Sequence, residues 1–116
     1  MTKINARTKG IVYEQRIRKE LIELGWARCQ TARYASKMVD DQLVDFVNTK
    51  PFNIQAKALE RAPAYHDILD NMPKDGNTNV IFHKRNNRGT VVTMSKENFY
   101  KLIRDEAKKA QSKDQS

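Results

Sequence analysis

Asp40-Asp41-Gln42-Leu43-Val44-Asp45, followed after a short polar stretch by Pro51-Phe52-Asn53-Ile54-Gln55-Ala56-Lys57-Ala58, decides how this chain is read. Both runs have the pattern of short strands. Residues two apart in a strand point to the same face. Asn53, Gln55 and Lys57 therefore share one face, and Phe52, Ile54, Ala56 and Ala58 take the other. In the first run Val44 and Phe46 oppose Asp45 in the same way. A turn at Asn48–Lys50 would pair the two strands, lay both apolar faces on one core and bring Asp45, Gln55 and Lys57 together on the other side. Oxygen ligands beside a lysine suit metal-dependent hydrolysis of a phosphodiester.

The chain has 116 residues, which points to a single domain with one modest core. Charged residues make up 31% and apolar ones 39%, as in a soluble globular protein. No apolar run is long enough to span a bilayer, and Met1-Thr2-Lys3-Ile4-Asn5 lacks the apolar centre of a signal peptide. The lone cysteine, Cys29, excludes an intrachain disulfide and a cysteine-rich zinc site. A cytoplasmic location is the default expectation. The net charge of +8 and pI near 9.7 favour a polyanionic partner, set against a merely basic solvated surface.

Along the chain the periodicity gives a compact α/β pattern. Ile17, Leu21 and Leu24 predict a helix over about 10–24, stopped by Gly25. Residues 26–31 read as a strand and 32–42 as polar, irregular chain. After the two strands already described, Ala62-Pro63 opens a helix with the stripe Tyr65, Ile68, Leu69 and Met72. Val80-Ile81-Phe82 reads as a strand, Asn86-Asn87-Arg88-Gly89 as a hairpin turn and 90–94 as the returning strand. Ser95 is suited to cap a last helix with the face Phe99, Leu102 and Ile103. The expected organisation is one domain over 1–110 and a disordered tail over 111–116.

The first helix carries a second clue. Glu14 precedes Ile17 by three residues and Leu21 by seven, which places it in the apolar stripe. A carboxylate there is costly unless paired or bound to a metal. The alternative is an edge position with Arg18 as its partner one turn on. Next to Asp45, Gln55 and Lys57, the ligand reading is favoured.

The ordered set Lys9-Gly10, Tyr13-Glu14, Arg33-Tyr34-Ala35-Ser36, Asp40 to Asp45 and Pro51 to Ala58 resembles the PD-(D/E)xK nuclease superfamily. Within it the chain is most similar to the small, phage-type Holliday junction resolvases. The likeness extends more loosely to Val80-Ile81-Phe82-His83-Lys84-Arg85 and the last helix. It implies a restriction-endonuclease-like α/β fold, a central mixed β-sheet flanked by helices. It also implies a homodimer, since two symmetric cuts need two sites, with Tyr65, Met72 and Phe82 as candidate interface residues. Two positions depart from the pattern. Gln55 stands where the second acid is usual, though glutamine also occurs there in phage members. Leu43 stands where glycine is usual.

The resemblance further implies a site. Asp45, Gln55 and the backbone carbonyl of Ala56 would hold Mg²⁺, with Mn²⁺ as a substitute, and Glu14 would bind directly or through a water. Lys57 would orient the attacking water or stabilise developing charge. Ser36 would contact a phosphate or the leaving group, set against a solvated loop hydroxyl, and Asp41 would be an accessory acid, set against a solvated turn residue. Arg7, Lys9, Arg33, Lys37, Lys84, Arg85 and Arg88 suit shape-based contacts with the phosphates of branched DNA. His66 and His83 form no metal pair, and His66 is expected at the surface. The implied activity is Mg²⁺-dependent resolution of four-way DNA junctions. Another nuclease of the superfamily, nicking or flap-cutting, and an inactive DNA-binding module are the alternatives.

Overall fold

The computed structural model describes residues 6–35 and 37–114. In chain order its elements are α1 (Ala6–Glu23), β1 (Gln30–Thr31), α2 (Ala32–Ala35), α3 (Lys37–Asp41) and β2 (Phe46–Val47). There follow β3 (Phe52–Ala58), α4 (Tyr65–Asn71), β4 (Thr78–Arg85), β5 (Gly89–Thr93) and α5 (Lys96–Asp114). The class is mixed α/β. β3, β4 and β5 form a mixed sheet in that order, with β3 parallel to β4 and β4 antiparallel to β5. A separate small sheet pairs β1 with β2, antiparallel.

Alternation along the strands sorts the sheet's two faces. Ile54 lies beside Val80 and Ala56 beside Phe82, and these pack with Tyr13, Ile17 and Leu21 of α1 in the main core. Asn53, Gln55 and Lys57 lie beside Asn79, Ile81 and His83 on the face toward α4, where Tyr65 bonds His83. Ile17, Phe46 and Ile54 are almost completely buried. Truncating any of them to alanine would cost about 2–5 kcal/mol.

α1 starts at Ala6, so Arg7 and Lys9 belong to the helix instead of preceding it. Its C-terminus explains why Leu24 is 82% exposed, outside the expected stripe. The Trp26 N–H donates to the Leu21 carbonyl and the Gly25 N–H to that of Ile22, with Gly25 at φ +127°. That is a Schellman closure, which needs a residue free to adopt positive φ just past the helix. Trp26 folds back on the core beside Phe52.

Several expectations are corrected here. The strand expected over 26–31 is only Gln30–Thr31, because residues 26–29 turn. The stretch read as irregular, 32–42, is largely helical as α2 and α3. The hairpin expected between the opening strands is not a simple one. β2 pairs with β1, and contact with β3 passes through the preceding Asp45, whose N–H donates to the Ile54 carbonyl. α4 begins at Tyr65, two residues after Pro63. Met72, offered as an interface residue, is buried at 2% exposure. The hairpin at 86–88 and the Ser95 cap are present, with Ser95 Oγ accepting from the Asn98 N–H. α5 runs to Asp114, past the point where a disordered tail was expected. No helix among the described residues is long and apolar enough to cross a membrane.

Candidate functional site

Asp45 is the hub of the site. Its carbonyl accepts from the Ala32 N–H at 2.7 Å, which fixes the start of α2. Its N–H donates to Ile54, and its carboxylate Oδ2 accepts from the Ala56 N–H at 2.7 Å. The carboxylate is thus pinned at the open edge of β3, next to Gln55. N–H and C=O of one strand residue project to the same side, so the Ala56 carbonyl also opens toward that edge. The turn leading into Asp45 is sharp, with Leu43 at φ +64° where the resembled family favours glycine.

Glu14 lies on α1. It is 5% exposed, and its Oε2 accepts from Arg33 Nη2 at 3.0 Å. Arg33 sits on α2, one residue after Ala32. A continuous path therefore links the two acids, from Glu14 through Arg33 and Ala32 to Asp45, and on to Ala56 and Gln55. The partner of Glu14 is Arg33 and not Arg18, which sequence spacing offered.

Two buried side-chain atoms among the described residues have no hydrogen-bond partner, Glu14 Oε1 and Gln55 Oε1. A buried oxygen left without a donor costs about 1–3 kcal/mol. Both orphans belong to residues singled out as cation ligands, and both are hard oxygens of the kind Mg²⁺ prefers. Gln55 leaves β3 on the α4 side, whereas α1, which carries Glu14, packs on the other face. No group of three or more His, Cys, Asp or Glu among the described residues is placed to hold a metal.

Lys57 is half-buried on the Gln55 face, beside His83. His83 is buried, and both ring nitrogens are engaged: Nε2 lies 2.8 Å from the Leu59 carbonyl and Nδ1 3.0 Å from the Tyr65 hydroxyl. The carbonyl can only accept, so Nε2 carries a proton. His83 was expected only to lack a metal partner. Its structural tie to Tyr65 gives no signal in sequence, because the two residues lie 18 apart. His66 is exposed. Asp41 is exposed at the end of α3, and Ser36 lies outside the described residues.

The basic residues do not form one patch. Lys9 and Lys84 are brought together with Arg16, a residue not singled out in the sequence, around a groove of about 110 Å³ floored by Tyr13 and Ala58. Lys84 lies over the Tyr13 ring at 5.9 Å, and Lys9 is 3.8 Å from Glu60. Arg7 on α1, Lys37 on α3, and Arg85 and Arg88 on the β4–β5 hairpin are exposed. Arg33 is engaged with Glu14. Burial raises the Tyr13 hydroxyl pKa above its usual value, partly offset by its hydrogen bond to Thr90, and burial likewise raises the Cys29 thiol. No protein-family model matches the sequence, and no curated protein and no solved structure shows a match to it.

Proposed function

We propose that the chain is a metal-dependent DNA endonuclease of restriction-endonuclease-like architecture that cuts four-way junctions, working as a cytoplasmic homodimer. The observation that carries this reading is the pair of orphaned buried oxygens, Glu14 Oε1 and Gln55 Oε1, together with the Asp45 carboxylate held at the Ala56 N–H next to Gln55. Glu14, Asp45, Gln55 and the Ala56 carbonyl would hold Mg²⁺ or Mn²⁺. The cation, when bound, polarises a phosphodiester and eases deprotonation of the attacking water.

The residues of the chain divide the remaining work. Asp45 is held in place by the Ala56 N–H, so its carboxylate needs little reorganisation on binding. Lys57, half-buried at the same strand, supplies positive charge for the transition state. Arg33 holds Glu14 in place through one oxygen and leaves the other free. Lys9, Arg16 and Lys84 offer phosphate contacts that position a backbone without reading bases. Gln55 brings no charge, so the cation faces two carboxylates where the usual pattern supplies more.

The test is cleavage of four-way, flap, linear duplex and single-stranded DNA in Mg²⁺ and in Mn²⁺. Paired symmetric cuts in the four-way junction support the reading. Equal cutting of linear duplex would replace junction selectivity with general nuclease activity. Junction binding with no cutting in either metal would assign the chain to inactive DNA-binding modules.

A further inference from the structure

A pocket of about 310 Å³ opens between α1 and the β1–α2 corner, lined by Gln15, Arg18, Gln30, Thr31 and Tyr34. None of these residues belongs to the cation site. α1 also carries Glu14 and α2 carries Arg33, so their ion pair at 3.0 Å ties the two walls together. Three lining side chains lack partners within the fold. Tyr34 is 82% exposed and makes no ring contact or hydrogen bond with another described residue. Such exposure forgoes the burial that aromatic side chains usually supply. Arg18 is half-buried and forms no ion pair with a described residue. Thr31 is 4% exposed, and its hydroxyl bonds no described residue. Unlike the enclosed oxygens of Glu14 and Gln55, that hydroxyl keeps access to the pocket. A nearly buried hydroxyl gains from a partner there.

We propose that this pocket holds one unpaired nucleobase of a DNA strand. Tyr34 supplies a planar face for stacking. Gln15, Gln30 and Thr31 each present both a donor and an acceptor, the mixed pattern that the edge of a base can match. Arg18 supplies one positive charge for the phosphate of the same nucleotide. No aliphatic side chain and no carboxylate lines the pocket, which disfavours a lipid chain or a cationic ligand.

The inference rests on DNA as the partner under the proposed function, and not on cleavage. It gives that function a means of favouring branched DNA. Taking a base out of its stack costs least where its pairing is already disrupted. A branch presents such bases, and a continuous duplex does not.

The test is strand binding in EDTA, where no cutting occurs, followed by the anisotropy of a labelled single strand and of an abasic strand of equal length. Both strands carry the same phosphates. Wild type is expected to bind the abasic strand about tenfold more weakly, the size of one base–aromatic stack. Tyr34→Ala, checked for folding by circular dichroism, is expected to lose about the same factor on the normal strand and little on the abasic one, while Tyr34→Phe keeps both affinities. Thr31→Val is expected to weaken only the normal strand. Equal binding of the two strands by wild type, or a Tyr34→Ala loss of the same size on both, overturns the proposal and leaves the proposed function standing. Failure to bind any DNA at low salt overturns both. Displacement of the normal strand by micromolar free deoxynucleoside monophosphate would assign the pocket to a soluble nucleotide and overturn its assignment to DNA. The strand comparison on wild type decides the matter if a variant does not fold.

Discussion

Leu43 holds φ +64°, in the left-handed region, at the turn that delivers Asp45 to the β3 edge. A side chain with a β-carbon costs about 1–2 kcal/mol there, and glycine would give back about 0.5–1 kcal/mol of that through its freer unfolded chain. Leu43→Gly should therefore stabilise the protein by about 0.5–1 kcal/mol in urea denaturation; equal or lower stability would contradict the strain. Arg33 tests the neighbouring contact. Removing it leaves the Glu14 carboxylate buried without its partner, but the Arg33 side chain is 43% exposed, so the full cost of breaking a buried pair does not apply. Arg33→Ala should lose about 1–2 kcal/mol, and the loss should shrink in the Glu14→Gln background. Additive effects of the two substitutions would show that the pair does not couple. Glu14 could be picked out as a stripe carboxylate from its spacing to Ile17 and Leu21, but its partner could not. A residue 19 positions away meets Glu14 only because the Asp45 carbonyl anchors the start of α2.

Among elements, β3 joins structure to chemistry most directly. The Asp45 carboxylate caps the Ala56 N–H, so Asp45 has a structural role apart from any ligand role. Asp45→Ala leaves that N–H bare and should cost about 1–3 kcal/mol. Asp45→Asn keeps an acceptor there and should cost less, while removing the charge a cation needs. Full cleavage activity in folded Asp45→Asn would count against the ligand role. The alternation of β3, the β4–β5 hairpin and the presence of α4, though not its start, were legible because each has a clear period or a strong turn signal. β1, β2, α2 and α3 were not. They have two to five residues each, too few for a period, and tertiary contacts such as Ala32 N–H to Asp45 hold them. The Leu24 misreading has a comparable cause: the apolar spacing continued into the Schellman turn after the hydrogen-bonded helix had closed.

At the scale of the molecule, burial raises the pKa values of Tyr13 and Cys29, so the folded state holds these protons more tightly than the unfolded chain. Stability from these groups is intact below their unfolded values, near 8.5 for the thiol and 10 for the phenol, and is lost as pH climbs through the raised folded values. Unfolding midpoints should therefore fall on the alkaline side of about pH 8.5, and Tyr13→Phe should blunt the steeper part of the fall above about pH 10. A flat alkaline limb would contradict the burial of both groups. The surface charge of +8 leads to a different expectation: any DNA affinity should drop steeply with salt, as counterion release requires. The central claim is narrower than either, namely that Glu14 Oε1 and Gln55 Oε1 lack partners because a divalent cation supplies the missing contact. The direct measurement is calorimetric titration of Mn²⁺ into the DNA-free protein and into folded Glu14→Gln and Gln55→Ala. The account predicts one saturable site in wild type, weakened at least tenfold in each variant, a loss of about 1.4 kcal/mol or more. Binding unchanged in both variants, or no binding to wild type at millimolar Mn²⁺, would contradict it.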